Sequence, residues 1–345
     1  MTSEPSRTSS LALAALLALS PVASAQTYKK PLKGPQLEGP VSPQQGRDQA
    51  APETSDAPLA NGTDRAADSA YGAFQRGFYL TALRLALPRA ETGDPAAQTL
   101  IAEIYWNGFG VARDTKKALE WYRFAANGGN REAQFALANI LLKGDTVPAD
   151  KKAGRALMEK AAAAGHSRAQ FNLAQIIVAE RPTWQGYKRA MPWYQKAAEA
   201  GVPDAQYAMA NIHAEAQGVT VNNEVLARQW LSKAAQAGMP IAQLEYGIWL
   251  ANGRGGAKDE KEALQWFGRA ARQRNVVAQN RLARMYAFGI GTTPDVVKAG
   301  AWHVVARRAG HTDVQLDRRF ADMSPLDRKR AIDLANRLTQ RLALR

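Results

Sequence analysis

The chain has 345 residues, a formal net charge of +14 and no cysteine. Without cysteine, neither a disulfide framework nor a thiolate-ligated metal or redox centre can form. The charge is uneven: residues 1–25 sum to zero and 26–70 to −1, so the rest of the chain carries +15.

Residues 1–25 read as an export signal. One basic residue, Arg7, precedes an apolar run over 11–19, and Ala23-Ser24-Ala25 offers a small-residue cleavage site before Gln26. The run is short for a membrane span, and no other stretch is long and apolar enough. No cysteine follows it, which excludes lipid attachment to a terminal cysteine. The expectation is cleavage after Ala25 and a periplasmic or secreted protein. Residues 26–68 are rich in Pro, Gln, Gly, Ser and Asp and poor in large apolar side chains. Such a segment buries too little surface to offset its ordering entropy, which predicts a disordered linker acting as a spacer.

Residues 69–92 predict a degenerate repeat, in which Phe74, Gly77, Tyr79, Ala82 and Leu85 keep a recurring rhythm. From residue 93 that rhythm is regular. An Ala-Gln pair places glutamine at Gln98, Gln134, Gln170, Gln206, Gln243 and Gln279, at intervals of 36, 36, 36, 37 and 36. Five residues earlier stand Gly93, Gly129, Gly165, Gly201 and Gly238, with Arg274 the exception. Tryptophan recurs thirteen before the next glutamine at Trp121, Trp193, Trp230, Trp266 and Trp302, with Leu157 once in the same slot. A fixed period in this range is the mark of a solenoid.

One unit reads as two helices. Ala97, Ile101, Ala102, Ile104 and Tyr105 make the apolar stripe of a first helix, and Asn107-Gly108-Phe109-Gly110 breaks it. Asp114 offers an oxygen to the free amides of a second helix carrying Ala118, Trp121, Tyr122, Ala125 and Ala126. Gly129 supplies the left-handed residue that ends it. A small residue four after each glutamine (Ala102, Ala138, Ala174, Ala210, Gly247, Ala283) lets helix backbones approach closely. A pair this short cannot bury enough surface alone, so stacking is required. The fold class predicted is all-α, a right-handed superhelical solenoid of helix-turn-helix repeats over residues 93–311. The third copy departs most. Glu180 and Pro182 stand where the turn glycines fall, and Pro192 lies inside the second helix, which it should kink or shorten.

The pattern Ala-Gln, small residue, Tyr, Gly-x-Gly-Val, Asp, Lys-Ala, Trp-Tyr, Ala-Ala, Gly, seen at residues 97–129, resembles the Sel1-like repeat family, a relative of tetratricopeptide repeats. The resemblance implies a non-enzymatic protein-interaction scaffold. Some secreted members staple their repeats with disulfides, which this chain cannot do. Exported members include a periplasmic regulator of a sensor kinase controlling exopolysaccharide production, so the resemblance also implies that role as an alternative.

Residues 312–345 predict the start of a decayed repeat, with Gln315 in register, and a capping helix. Ser324-Pro325 opens that helix, and Ala331, Ala335, Leu338 and Leu342 form its apolar stripe. Ten basic and five acidic residues lie between Arg307 and Arg345. Arg318, Arg319, Arg328, Lys329 and Arg330 make this cap a basic patch, and peptidoglycan or anionic lipid is its alternative partner. Export and the absence of a nucleic-acid-binding motif argue against nucleic acid.

Little points to chemistry. The histidines, His166, His213, His303 and His311, fall in separate places with no metal-ligand spacing. His166 and His311 read as loop residues, and His213 as a packed core residue in the Tyr slot. No Gly-x-Ser-x-Gly, Walker or Rossmann pattern occurs. No catalytic, cofactor-binding or metal-binding residue is therefore assigned, and no cofactor is expected. The candidate site is a surface. Positions one, five and eight after each glutamine share one face of the first helix: Phe135, Asn139 and Leu142; Phe171, Gln175 and Val178; Tyr207, Asn211 and Ala214. Amides can hydrogen-bond a peptide backbone while rings hold its side chains, so this ladder is a candidate to bind a protein segment along the concave face; the alternative is that its rings pack on the preceding repeat. Changing Asn139, Gln175 and Asn211 to Ala should then leave stability nearly intact.

Overall fold

The computed structural model describes residues 62–215 and 223–343, and among them there are sixteen helices and no strand. They run in pairs: α1 (Gly62–Gln75) and α2 (Tyr79–Glu91), α3 (Pro95–Asn107) and α4 (Thr115–Asn127), α5 (Arg131–Lys143) and α6 (Lys151–Ala163), α7 (Ser167–Glu180) and α8 (Trp184–Glu199). The series continues with α9 (Pro203–Glu215) and α10 (Glu224–Gln236), α11 (Pro240–Asn252) and α12 (Glu260–Arg272), α13 (Val276–Phe288) and α14 (Val296–Arg308). It ends with α15 (Val314–Ala321) and α16 (Pro325–Ala343). Two compact units divide between Arg181 and Pro182, in the turn of the third repeat. The expected export signal and most of the expected linker lie outside the described residues. The linker's end does not: α1 begins at Gly62, inside the stretch expected to be disordered. Ala70 and Ala73 bury there beside Ala82 and Ala86 of α2, giving the helix an apolar face that average composition conceals.

Within the first unit, each helix packs on its neighbours in the chain, α3 on α4, α4 on α5, α5 on α6 and α6 on α7. The second unit repeats the scheme from α8 to α14, and α16 then packs against α14. The core is made of the small residues read from the sequence, with Ala102, Ala138, Ala174 and Ala283 fully buried. Trp230, Trp266 and Trp302 are buried, while Trp121 and Trp193 are half-buried. Burying a side chain of this size stabilises by roughly 2–3 kcal/mol. A base three residues on covers several of these rings: Lys196 lies 4.9 Å from Trp193, Lys233 4.0 Å from Trp230 and Arg269 4.2 Å from Trp266.

The repeated glutamine has a specific task. The side-chain amide of Gln98 donates to the Ala90 carbonyl at 3.0 Å, and that of Gln134 to Ala126 at 3.1 Å. Gln170, Gln206, Gln243 and Gln279 do the same, each at 3.2 Å, to the carbonyl eight residues earlier. Every bond reaches the last turn of the preceding second helix, where carbonyls lack intrahelical partners. The Ala-Gln pair thus welds one repeat to the next.

The turns are equally regular. Asp114, Asp150, Asn223, Asp259 and Asp295 cap the second helices through their side-chain oxygens. In all five of these repeats the amide of the same capping residue closes the turn on a first-helix carbonyl, as from Asp114 to Tyr105 at 3.0 Å and from Asp295 to Tyr286 at 2.9 Å. A Cβ on Gly291 (φ +66) would meet the Glu260 carbonyl oxygen at 2.3 Å, so only glycine fits this approach to the previous repeat. The third repeat dispenses with the device, and α7 ends on Arg181 at φ −141° in place of a left-handed glycine. Pro192 does not shorten its helix: α8 runs sixteen residues, three longer than its counterparts α6 and α10. Pro192 lies on the exposed face, where water can hydrogen-bond the carbonyl its missing amide leaves free.

Candidate interaction surface

The first helices carry the candidate site. In the first unit, the Phe135 ring stacks on His166 with centroids 4.2 Å apart. His166 is no loose loop residue: it is buried and caps α7, its Nδ1 accepting from the Ala169 amide at 3.0 Å. Its Nε2 faces a Glu132 carboxylate oxygen at 2.9 Å, which fixes an Nε2–H tautomer donating to that oxygen. This bond holds the Glu132 carboxyl below its ordinary range. Burial, with Glu132 nearby, pushes the Glu103 carboxyl the other way, up to about 7.

Asn139 also departs from expectation. It is only 4% exposed, and its oxygen accepts from the Asn172 amide at 3.5 Å. Asn139 therefore joins adjacent first helices from within instead of presenting an amide to a partner, and its removal is not neutral for stability. Phe171, Gln175 and Val178 are half-buried on the same face of α7.

In the second unit, Tyr207 and Asn211 are half-buried on α9, while Ala214 is buried. The Tyr207 hydroxyl donates to Glu245 on α11 at 2.8 Å. Burial nevertheless raises the Glu245 carboxyl above its ordinary range, the Tyr207 bond opposing and nearby Glu215 reinforcing the shift. The Asn211 side-chain nitrogen is sealed from solvent with no hydrogen-bond partner among the described residues. His213 is a buried core residue, and burial lowers its pKa.

The basic cap divides by role. Arg319 lies 4.4 Å from the Phe288 ring and donates to the Ala287 carbonyl at 3.4 Å. Arg328 donates to the Ala321 and Met323 carbonyls, closing the end of α15. These two act within the fold. Arg318, Lys329 and Arg330 are exposed, and Arg330 approaches only Asp327, at 3.7 Å. His303, 1% exposed, meets Asp317 at 3.0 Å.

Glu103, Glu132, Asn172, Glu245, Arg281 and Arg284 were not singled out from the sequence. Five of them were within reach: Glu103 and Arg284 sit five after a repeat glutamine, in the row of Asn139, while Asn172, Glu245 and Arg281 sit two after one. No group of three or more potential metal ligands forms among the described residues, and no described helix is long and apolar enough to cross a membrane.

The sequence profile of the Sel1 repeat matches six times in succession, at residues 95–130, 131–166, 167–202, 203–239, 240–275 and 276–311. The chain belongs to the Sel1 repeat family, whose members are generally scaffolds that bind protein partners. Among solved structures, it is similar to a protective antigen of uropathogenic Escherichia coli strains that displays an SLR fold. The two are 26% identical with a TM-score of 0.63, over 79% of this chain and 62% of the antigen. It thus spans less than two thirds of that relative's length. It is also similar to a Sel1 repeat protein from Oxalobacter formigenes, at 27% identity and a TM-score of 0.58, over 72% of this chain and 99% of that one. No curated protein matches the sequence.

Proposed function

We propose that the protein is a non-enzymatic adaptor of the periplasm or cell envelope, and that it binds a segment of a protein partner along its first helices. The observation that carries this is a recurring pair of ring and amide on the first helices, Phe171 and Gln175 in the first unit and Tyr207 and Asn211 in the second, all half-buried. Such amides can hydrogen-bond a partner's backbone while the rings hold its side chains. Export rests on the signal read in residues 1–25. A photo-crosslinking residue at Gln175 or Asn211, in intact cells, should capture one discrete protein. The same residue at Lys160, exposed on second helix α6, should not. Capture from Lys160 alone would overturn the reading.

A second reading has its own observation. Arg318, Lys329 and Arg330 remain exposed after Arg319 and Arg328 are used internally, so the cap can bind an anionic envelope surface. Salt-sensitive sedimentation with purified cell wall, lost when all three are changed to Gln, is its test.

A further inference from the structure

Among the described arginines of the second unit that are buried or half-buried, all but one make a hydrogen bond or ion pair. Arg228 donates to the Arg254 and Ala257 carbonyls, Arg254 pairs with Glu224 at 2.8 Å, and Arg328 closes α15. Arg284, 8% exposed, places one nitrogen 2.8 Å from Asp313 and another 2.9 Å from Gln315. Arg281, one turn earlier on α13, is half-buried and makes no hydrogen bond or ion pair among the described residues. Its Nε is sealed from solvent with no acceptor, and the nearest ring, Phe267, lies 6.0 Å away at the limit of a cation–π contact. Burial, with Arg284 beside it, lowers the guanidinium to about 10. Asp313 cannot turn to help, because Asn280 holds it at 3.0 Å while Arg284 takes the same oxygen.

We propose that Arg281, backed by Arg284, is a receptor for a carboxylate group carried by the partner segment. This rests on the reading of the first helices as a binding face and names the chemistry at one place on it. The local balance is two guanidiniums against the single carboxylate of Asp313, so one further carboxylate neutralises the site. The two terminal nitrogens of a guanidinium form a planar two-donor edge, which a carboxylate matches with two parallel bonds. In Arg281 neither is sealed as Nε is, so this is the edge an incoming carboxylate can reach. The carboxylate can come from a chain terminus or from an Asp or Glu side chain, since both have the same two oxygens.

The test uses the full mature chain labelled with 15N-arginine, following the Arg281 Nε–Hε signal, which Arg281→Lys assigns by its loss. Probes are sodium acetate, acetyl-triglycine with a free terminus, acetyl-Gly-Glu-Gly-amide, and neutral acetyl-triglycine-amide, at constant ionic strength. The signal should move saturably with acetate and with at least one carboxylate peptide, and stay still with the neutral one. The peptide that moves it at lower concentration identifies the source. Followed on the Arg284 Nε–Hε signal, Arg281→Gln should weaken that peptide at least tenfold; if this variant does not fold, the wild-type titration decides alone. No movement with any carboxylate, or equal movement with sodium chloride or inorganic phosphate, overturns the proposal. Crosslinking from Gln175 and Asn211 does not involve Arg281, so the adaptor reading stands or falls separately.

Discussion

The guanidinium of Arg274 donates to the main-chain carbonyl of Leu342, 68 residues further on, with its Nε at 2.8 Å and a terminal nitrogen also in contact. Arg274 is also the one described residue other than glycine with positive φ, at 63°. These facts explain each other. At this position every other repeat uses glycine, because a side chain is disfavoured there by about 1 kcal/mol. Here the side chain ties the last turn of α16 to the end of α12. Two charge-assisted bonds to this one carbonyl, which has no helical partner, contribute about 1.5–3 kcal/mol.

The consequence is a substitution whose sign depends on background. Arg274→Gly should lower the melting temperature of the full chain by a few degrees, since the lost bonds outweigh the relieved backbone. In a chain ending at residue 340, which lacks Leu342, the same change should be neutral or stabilising. Thermal melts of the four proteins check this, and a lower melting temperature in both backgrounds would refute the coupling.

The glutamine welds should rank in strength by how fully each amide is used. Gln243 donates to Ala235 and also accepts from Gln273 at 2.9 Å, whereas the Gln279 oxygen is buried without a partner among the described residues. Substitution by Met keeps the volume and removes the side-chain bonds, leaving the Ala235 or Ala271 carbonyl with its main-chain donor alone, a loss of about 0.5–1.5 kcal/mol per bond. Gln243→Met should therefore destabilise more than Gln279→Met in urea titrations. Equal losses would show that the second bond adds nothing.

The period of the glutamines, glycines and tryptophans was enough to place every helix pair from α3 to α14, because packing against an identical neighbour imposes the same residue at the same step. What the period could not show is where the copies differ. His166 looked like a loop residue because its neighbouring glycine marks a helix end, yet its ring caps the next helix. Asn139 looked like a surface amide because helical spacing gives a face but not a depth. Its burial is set by Asn172, 33 residues on. Arg281 stands in a row whose other members are mostly apolar, and only the arrangement of Asp313 around Arg284 shows that it has no counter-charge.

Glu103 gives the fold a pH dependence of known sign. Its folded pKa, about 7, lies above the ordinary value of 4.5. The protonated carboxyl is the form the fold prefers, so its contribution is fully present below the ordinary value and is lost as pH rises through about 7. Glu103→Gln should then be nearly neutral at pH 4.5 and stabilising at pH 8.5, by about 1–3 kcal/mol. Glu132 runs the opposite way, because His166 holds its carboxyl low and its contribution disappears as pH falls. Urea titrations of both single variants across this range would separate them, and a Glu103→Gln benefit independent of pH would exclude the burial explanation.

Asn139 and Asn211 occupy the same step of different repeats and should respond to alanine in opposite ways. Asn139 accepts a buried hydrogen bond, so Asn139→Ala leaves the Asn172 amide unmet and should destabilise by about 1–2 kcal/mol. The Asn211 nitrogen has no bond to lose, and Asn211→Ala removes a buried unpaired donor, which should leave stability unchanged or slightly raised. If partner binding uses this step, the losses are reversed: Asn211→Ala weakens capture of the crosslinked partner several-fold, and Asn139→Ala does so only through stability. Melting curves paired with crosslinking yields from a reporter in the same unit, Gln175 for Asn139 and Tyr207 for Asn211, distinguish the two. A large stability loss at Asn211 would mean that its amide is satisfied within the fold, and the binding surface would then have to lie elsewhere.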